Sequence, residues 1–271
     1  MITGTTLGRS SRSRFARPAG IIGKLLLQLD GPASRGKVDS MLNALEITRL
    51  QDQATVRWHQ DKPWPDPLTL AQLKDVNPPQ ASSRSRGSRT QPRVPEALLE
   101  LVLIHHQVNF DLWHQEDKAR EPGASDASVA QVKRNIDARN QNRNDLVEAM
   151  DHVLVAAAGR QKSTAPLNSE SPGLILDRLS ILALKIYHTA AETRRASATA
   201  THRKRNRARL ALLEEQRSDL AACLNALWKE ALDGKRRFKL YRQMKMYNDP
   251  ELNPEVYAHK PKRKKAARKS S

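Results

Sequence analysis

From Met41 to Leu227 apolar side chains recur at helical spacing, and nowhere does the chain show the period-two alternation of a strand. That periodicity restricts the fold to helix packed on helix. Breakers divide it into segments. Leu42, Leu45 and Thr48/Arg49 follow one another at helical intervals from Met41, and Pro63, Pro65 and Pro67 end that first helix near Gln60. Pro95 suits the first position of a long helix that stops before Pro122-Gly123. The next runs from Asp126 or Ser128 to Ala158, where Gly159 stops it, so the two form a helical hairpin. Ser171-Pro172 reads as an N-cap with proline at the first helical position, opening a helix through Tyr187 and His188 that continues into the basic stretch Arg194 to Arg209. Leu213, Leu220, Leu224 and Leu227 mark a further helix ending near Gly234, and Phe238, Tyr241 and Met244/Lys245 suggest one more.

Winding these segments at about 100° per residue puts polar side chains in the middle of apolar faces. On the helix from Pro95, Leu98, Leu101, Val102, Val108, Leu112 and Trp113 form the apolar stripe, and His105, Asn109, Glu116 and Arg120 fall inside it. On the next, Val129, Val132, Ile136, Val147, Met150 and Leu154 face inward. Lys133, Asn140, Arg143, Asn144 and Asp151 lie within or beside them, and Asp137 lies at the edge. The helix from Ser171 carries Arg178 and Lys185 near the centre of the arc formed by Leu174, Ile175, Ile181, Leu182 and Ile186.

Buried charges cost several kcal/mol each unless they are paired, so this set needs compensation, from its own members or from a ligand. A closed ion-pair and amide network is one reading. A ligand pocket is the other. The inward set holds Arg120, Lys133, Arg143, Arg178 and Lys185 against Glu116, Asp137 and Asp151, a cation surplus that suits phosphate or carboxylate. The backbone N–H groups opened by Ser171-Pro172-Gly173 suit the same kind of ligand. Glu116, Asp137 and Asp151 are the metal candidates, for magnesium beside a diphosphate, although the paired Glu-x-x-Glu spacing of such sites is missing. His105 is either a general acid or base or a hydrogen-bonded core residue. No nucleophile elbow, phosphate-binding glycine loop or His/Cys metal spacing is present, and whether the chain is an enzyme stays open.

The formal net charge is +18, and residues 1–40, 82–94 and 259–271 carry 16 of it. The helical part is therefore close to neutral. Such segments bind nucleic acid without sequence preference and with steep salt dependence. Three basic or Ser/Arg/Pro-rich stretches are expected to be disordered: an extension at 1–40, which an over-long start with Met41 as the true beginning would explain, an insert near 75–94, and a Lys/Arg-rich tail at 255–271. The lone Cys223 rules out an intrachain disulfide framework and fits a reducing, cytoplasmic setting. No apolar run approaches the roughly 18 residues of a membrane span.

Three stretches are distinctive: His106 to Arg120 (HQVNFDLWHQEDKAR), Lys133 to Asp145 (KRNIDARNQNRND) and Asn168 to Leu182 (NSESPGLILDRLSIL). Together they resemble the bacterial domain-of-unknown-function family DUF4254, over about Met41 to Asn253 and including Lys239 to Pro254. The resemblance implies no activity. Its motif positions coincide with Asn109, Trp113, Glu116, Arg120, Asn140 and Arg178, and include Asp145 and Asp177.

The sequence thus predicts an all-α protein, a single bundle of about five to six helices spanning 41–254, with a long helical hairpin and disordered basic tails. The candidate ligand-binding residues are His105, Asn109, Trp113, Glu116, Arg120, Lys133, Asn140, Arg143, Arg178 and Lys185. The expected partner is an anionic small molecule such as a nucleotide or phosphosugar. The alternatives are a structural or interaction protein with a buried ion-pair network, and an accessory nucleic-acid binder acting through its tails.

Overall fold

The computed structural model describes residues 42–60, 96–244 and 251–257. The extension at 1–40, the insert near 75–94, the end of the tail and the expected proline start at Pro95 lie outside the described residues. Among the described residues of the main unit there are five helices: α1 (Ala44–His59), α2 (Glu96–Lys118), α3 (Asp126–Ala158), α4 (Pro172–Arg194) and α5 (Ala200–Leu232). A second unit begins at Tyr241, and its described part holds the single turn α6 (Pro254–Tyr257).

The helix ends follow local chemistry. Asn43 caps α1 by accepting from the Leu45 and Glu46 N–H groups, and Ser125 caps α3 by accepting from Ser128. Ser171 caps α4 with Pro172 in its first turn. Gly159 after α3 and Gly234 after α5 have φ of +64° and +68°, values that glycine adopts without steric cost.

Two expectations are corrected. The helix from Ser171 does not continue into the basic stretch. It ends at Arg194, and Thr199 starts α5 by accepting from the His202 N–H at 3.1 Å. The side chain at the cap supplies a partner that helix continuation would have denied it, and the turn is tied down by His202 Nε2 against Glu192 at 2.7 Å. The segment around Phe238 is not a helix either. The Arg237 N–H donates to Pro166 O and the Asn168 N–H to Arg237 O, forming an isolated parallel bridge between Leu167 and Arg237. This pairing buries Phe238 against Trp228.

α2 and α3 form the predicted hairpin, α4 and α5 a second, and α1 packs on α2, α4 and α5. α4 packs on each of the four other helices described. Its apolar residues accordingly spread over a wide arc, with Ile175, Leu176, Leu179, Ala183, Leu184 and Ile186 buried. Ile47, Leu98, Leu101, Leu146, Met150 and Leu224 complete the core from the other helices. Ion pairs Arg139–Asp111 and Arg217–Asp52, both at 2.7 Å, link α3 to α2 and α5 to α1. No helix among the described residues is long and apolar enough to cross a membrane.

Candidate functional site

The start of α4 is pressed against α3. A Cβ built on Gly173 would lie 2.7 Å from Val147 O and from Asp151 Oδ1, so only glycine fits. The Asp151 carboxylate accepts from Gly173 N at 2.6 Å and from Ser171 Oγ at 2.5 Å. Both its oxygens are thus occupied by the helix terminus, where negative charge is favoured.

One turn further along, Asp177 collects donors from two helices. Its Oδ1 accepts from His105 Nε2 (2.9 Å), Asn109 Nδ2 (3.1 Å) and Arg143 Nε (2.7 Å), and its Oδ2 accepts from Arg143 Nη2. Burial by itself would raise the Asp177 pKa. The hydrogen bonds and charges of His105 and Arg143 overcome it and hold the carboxyl well below its ordinary range.

Asn109 also donates to Ser180 Oγ at 2.9 Å, and that hydroxyl sits 2.7 Å from His106 Nδ1. His106 Nε2 lies 2.9 Å from Gln51 O and 2.8 Å from Thr55 Oγ1. A carbonyl only accepts, so Nε2 carries the proton and Nδ1 accepts from Ser180. The chain of bonds runs from Asp177 to α1 and is satisfied by a neutral imidazole. Sequence reasoning missed His106, Ser180, Thr55 and Gln51, and it set Asp177 at the edge of its arc.

These groups set the acid response. Burial pushes the His106 pKa from 6.5 down to about 3, whereas burial raises that of Asp151 from 3.8 to about 6. As pH falls below 6.5 the unfolded chain gains a proton at position 106 that the folded chain does not, which costs about 1.4 kcal/mol per pH unit. Between about pH 6 and 3.8 Asp151 acts the other way, since its folded carboxyl protonates first. Below 3.8 that offset ends and Asp177 begins to lose its contribution as well. Burial also pushes the His188 pKa from 6.5 down to about 4, so urea midpoints should fall below about pH 6.5 and most steeply below pH 4, and in Asp151→Asn the decline between about pH 6 and 4 should be steeper.

Against this hub lies a cleft of about 430 Å³ between α2, α3 and α4. Six of the candidate residues line it: Asn109, Trp113, Glu116, Arg120, Asn140 and Arg143. His105 reaches it only through Asp177. The others lie elsewhere. Lys133 pairs with Asp137 on the exposed face of α3, ten residues or about 15 Å along the helix from Arg143. Arg178 and Lys185 line a separate groove of about 750 Å³ toward α5, where Arg178 pairs with Glu170 at 2.9 Å. The reason is rotational, because successive residues on α4 diverge by about 100° and Asp177 takes the direction of α2 and α3.

The expected burial of the long cations is also corrected. Arg120, Lys133, Arg178 and Lys185 are exposed, because a long charged side chain can carry its head to water even from an apolar arc. Four of the five cations counted in the surplus are paired, Arg120 with Glu116, Lys133 with Asp137, Arg143 with Asp177 and Arg178 with Glu170. The three carboxylates considered for a metal, Glu116, Asp137 and Asp151, are likewise engaged, by Arg120, Lys133 and the α4 terminus.

An all-α bundle stitched by a carboxylate hub, with a polar cleft beside it, is the class that fold and site define. The family described as "Protein of unknown function (DUF4254)" matches residues 99–240, and the chain belongs to that family. The matched span runs from α2 through the Leu167–Arg237 bridge, narrower than the resemblance read from the motifs, and it leaves α1 outside. No curated protein and no solved structure matches the chain.

Proposed function

We propose that the protein binds an anionic small molecule, of the nucleotide or phosphosugar class, in the cleft between α2, α3 and α4. The observation that carries this reading is the fixing of Arg143. Its fork is held by Asp177, which leaves three of its five N–H groups for an acceptor in the cleft that it lines. A guanidinium already immobilised gives up little entropy on binding. Asn140 adds an amide, Trp113 an apolar face, and Glu116 and Asp117 acceptors on the same wall. Donors and acceptors together suit a ligand with phosphate oxygens at one end and hydroxyl or amino groups at the other. The exposed lone Cys223 is in keeping with a reducing cytoplasm.

Thermal-shift screening of the full chain against nucleotides and sugar phosphates tests it. A true ligand at a hundredfold excess over its Kd should add about 2.7 kcal/mol of stability. Asn140→Ala and Arg120→Ala should remove that shift while changing the ligand-free Tm little, because neither residue makes a bond across helices. The convergence of His105, Asn109 and Arg143 on one carboxylate favours a second reading, a purely structural network. That reading prevails if no compound in the screen raises the Tm.

A further inference from the structure

We infer that His59, His114 and His188 form a binding site for a divalent transition-metal ion, zinc above all. The three come from α1, α2 and α4, separated by 55 and 74 residues, and their candidate ligand atoms all lie within 4.8 Å of one another. No spacing in the sequence signals them. The fold alone brings them together.

The chemistry of the rings favours a cation. His59 Nδ1 lies 2.8 Å from Thr55 O, and since a carbonyl only accepts, Nδ1 carries the proton and Nε2 the lone pair. A backbone carbonyl on one imidazole nitrogen is the outer contact that orients a metal-binding histidine. His59 Nε2 has no hydrogen-bond partner although it is buried, and the same holds for His188 Nε2. Two buried nitrogens without partners, beside a third imidazole, are a cost that a shared ion removes.

Packing holds the rings in place. His188 lies flat on Trp113, with centroids 4.6 Å apart and planes at 2°. His59 stacks on Tyr187 at 4.1 Å, and Phe110 sets its edge against both His59 and His114. Asp117 Oδ2 stands 3.9 Å from His114 Nδ1, on the side where a carboxylate would orient that ring. Tetrahedral ligation at about 2.1 Å separates ligand nitrogens by about 3.4 Å, so the site closes by small ring rotations. An all-imidazole set with neither thiolate nor carboxylate selects zinc, copper or nickel rather than magnesium or calcium. Three ligands leave a fourth position for water. The site borders the proposed anion cleft, because Trp113 and Asp117 line that cleft, but none of the three histidines does.

The test uses the full chain stripped with a chelator and titrated with Zn²⁺ in competition with a chromogenic chelator. One equivalent should bind and raise the Tm, and His114→Gln and His188→Gln should each weaken binding at least tenfold, whereas His152→Gln should not. Because a variant can lose its fold, the unmodified chain is also titrated with Co²⁺, which should give the intense visible absorption of a tetrahedral nitrogen site. Absence of stoichiometric Zn²⁺ binding, a weak octahedral Co²⁺ spectrum, or affinity unchanged in folded His114→Gln and His188→Gln variants overturns the assignment.

Discussion

Asp177→Ala should lower stability by about 3 kcal/mol, read from urea denaturation at neutral pH. Removing one member of a buried pair leaves the other charge uncompensated, a loss of about 3–5 kcal/mol. The lower end applies because the Arg143 side chain keeps 26% of its surface exposed. His105 Nε2–H and one Asn109 N–H lose their acceptor in the same step. Glu170→Ala is the informative contrast. It also breaks an Arg–carboxylate pair, yet the Arg178 side chain is 56% exposed and water replaces the partner, so the change should stay within about 0.5 kcal/mol. Equal losses in the two variants would show that Asp177 is no hub.

Gly173→Ala should be nearly as damaging, at about 2–3 kcal/mol, although alanine is the better helix former. The added methyl group meets Val147 O, a backbone atom that cannot swing aside, and the Asp151 carboxylate. α4 must then back away from α3, stretching the bonds from Ser171 and Gly173 that satisfy Asp151. Thermal melts of Gly173→Ala beside Gly123→Ala separate close packing from loop conformation. At Gly123 φ is +84° and the space around a Cβ is open, so the cost there is conformational only.

The fold was legible where local chemistry decides. Ser171-Pro172, Gly159 and Gly234 announce helix ends by side-chain acceptors, a fixed φ or a positive φ, none of which needs a distant partner. It was illegible where a distant segment decides. The bridge from Leu167 takes residues 235–240 out of helix, and no periodicity within Phe238 and Tyr241 contains that information. The site divides in the same way. A helical wheel locates Cβ atoms, so it placed short Asn109 and the partly buried Arg143 correctly but could not follow the long stems of Lys133, Arg178 and Lys185 out to water. Partners across helices, such as Asp177 for Arg143 or Ser180 for His106, depend on how two wheels face each other. Sequence reveals each wheel separately, and so the histidines at 59, 114 and 188 went unnoticed.

α4 touches every other described helix of the main unit, so it cannot peel away without breaking contacts with all four. Either hairpin could in principle loosen while its partner stays folded, but both share this one strut, and α1 leans on it too. Loss of α4 and loss of the whole bundle are thus one event, and any occupant that grips this helix holds all five together.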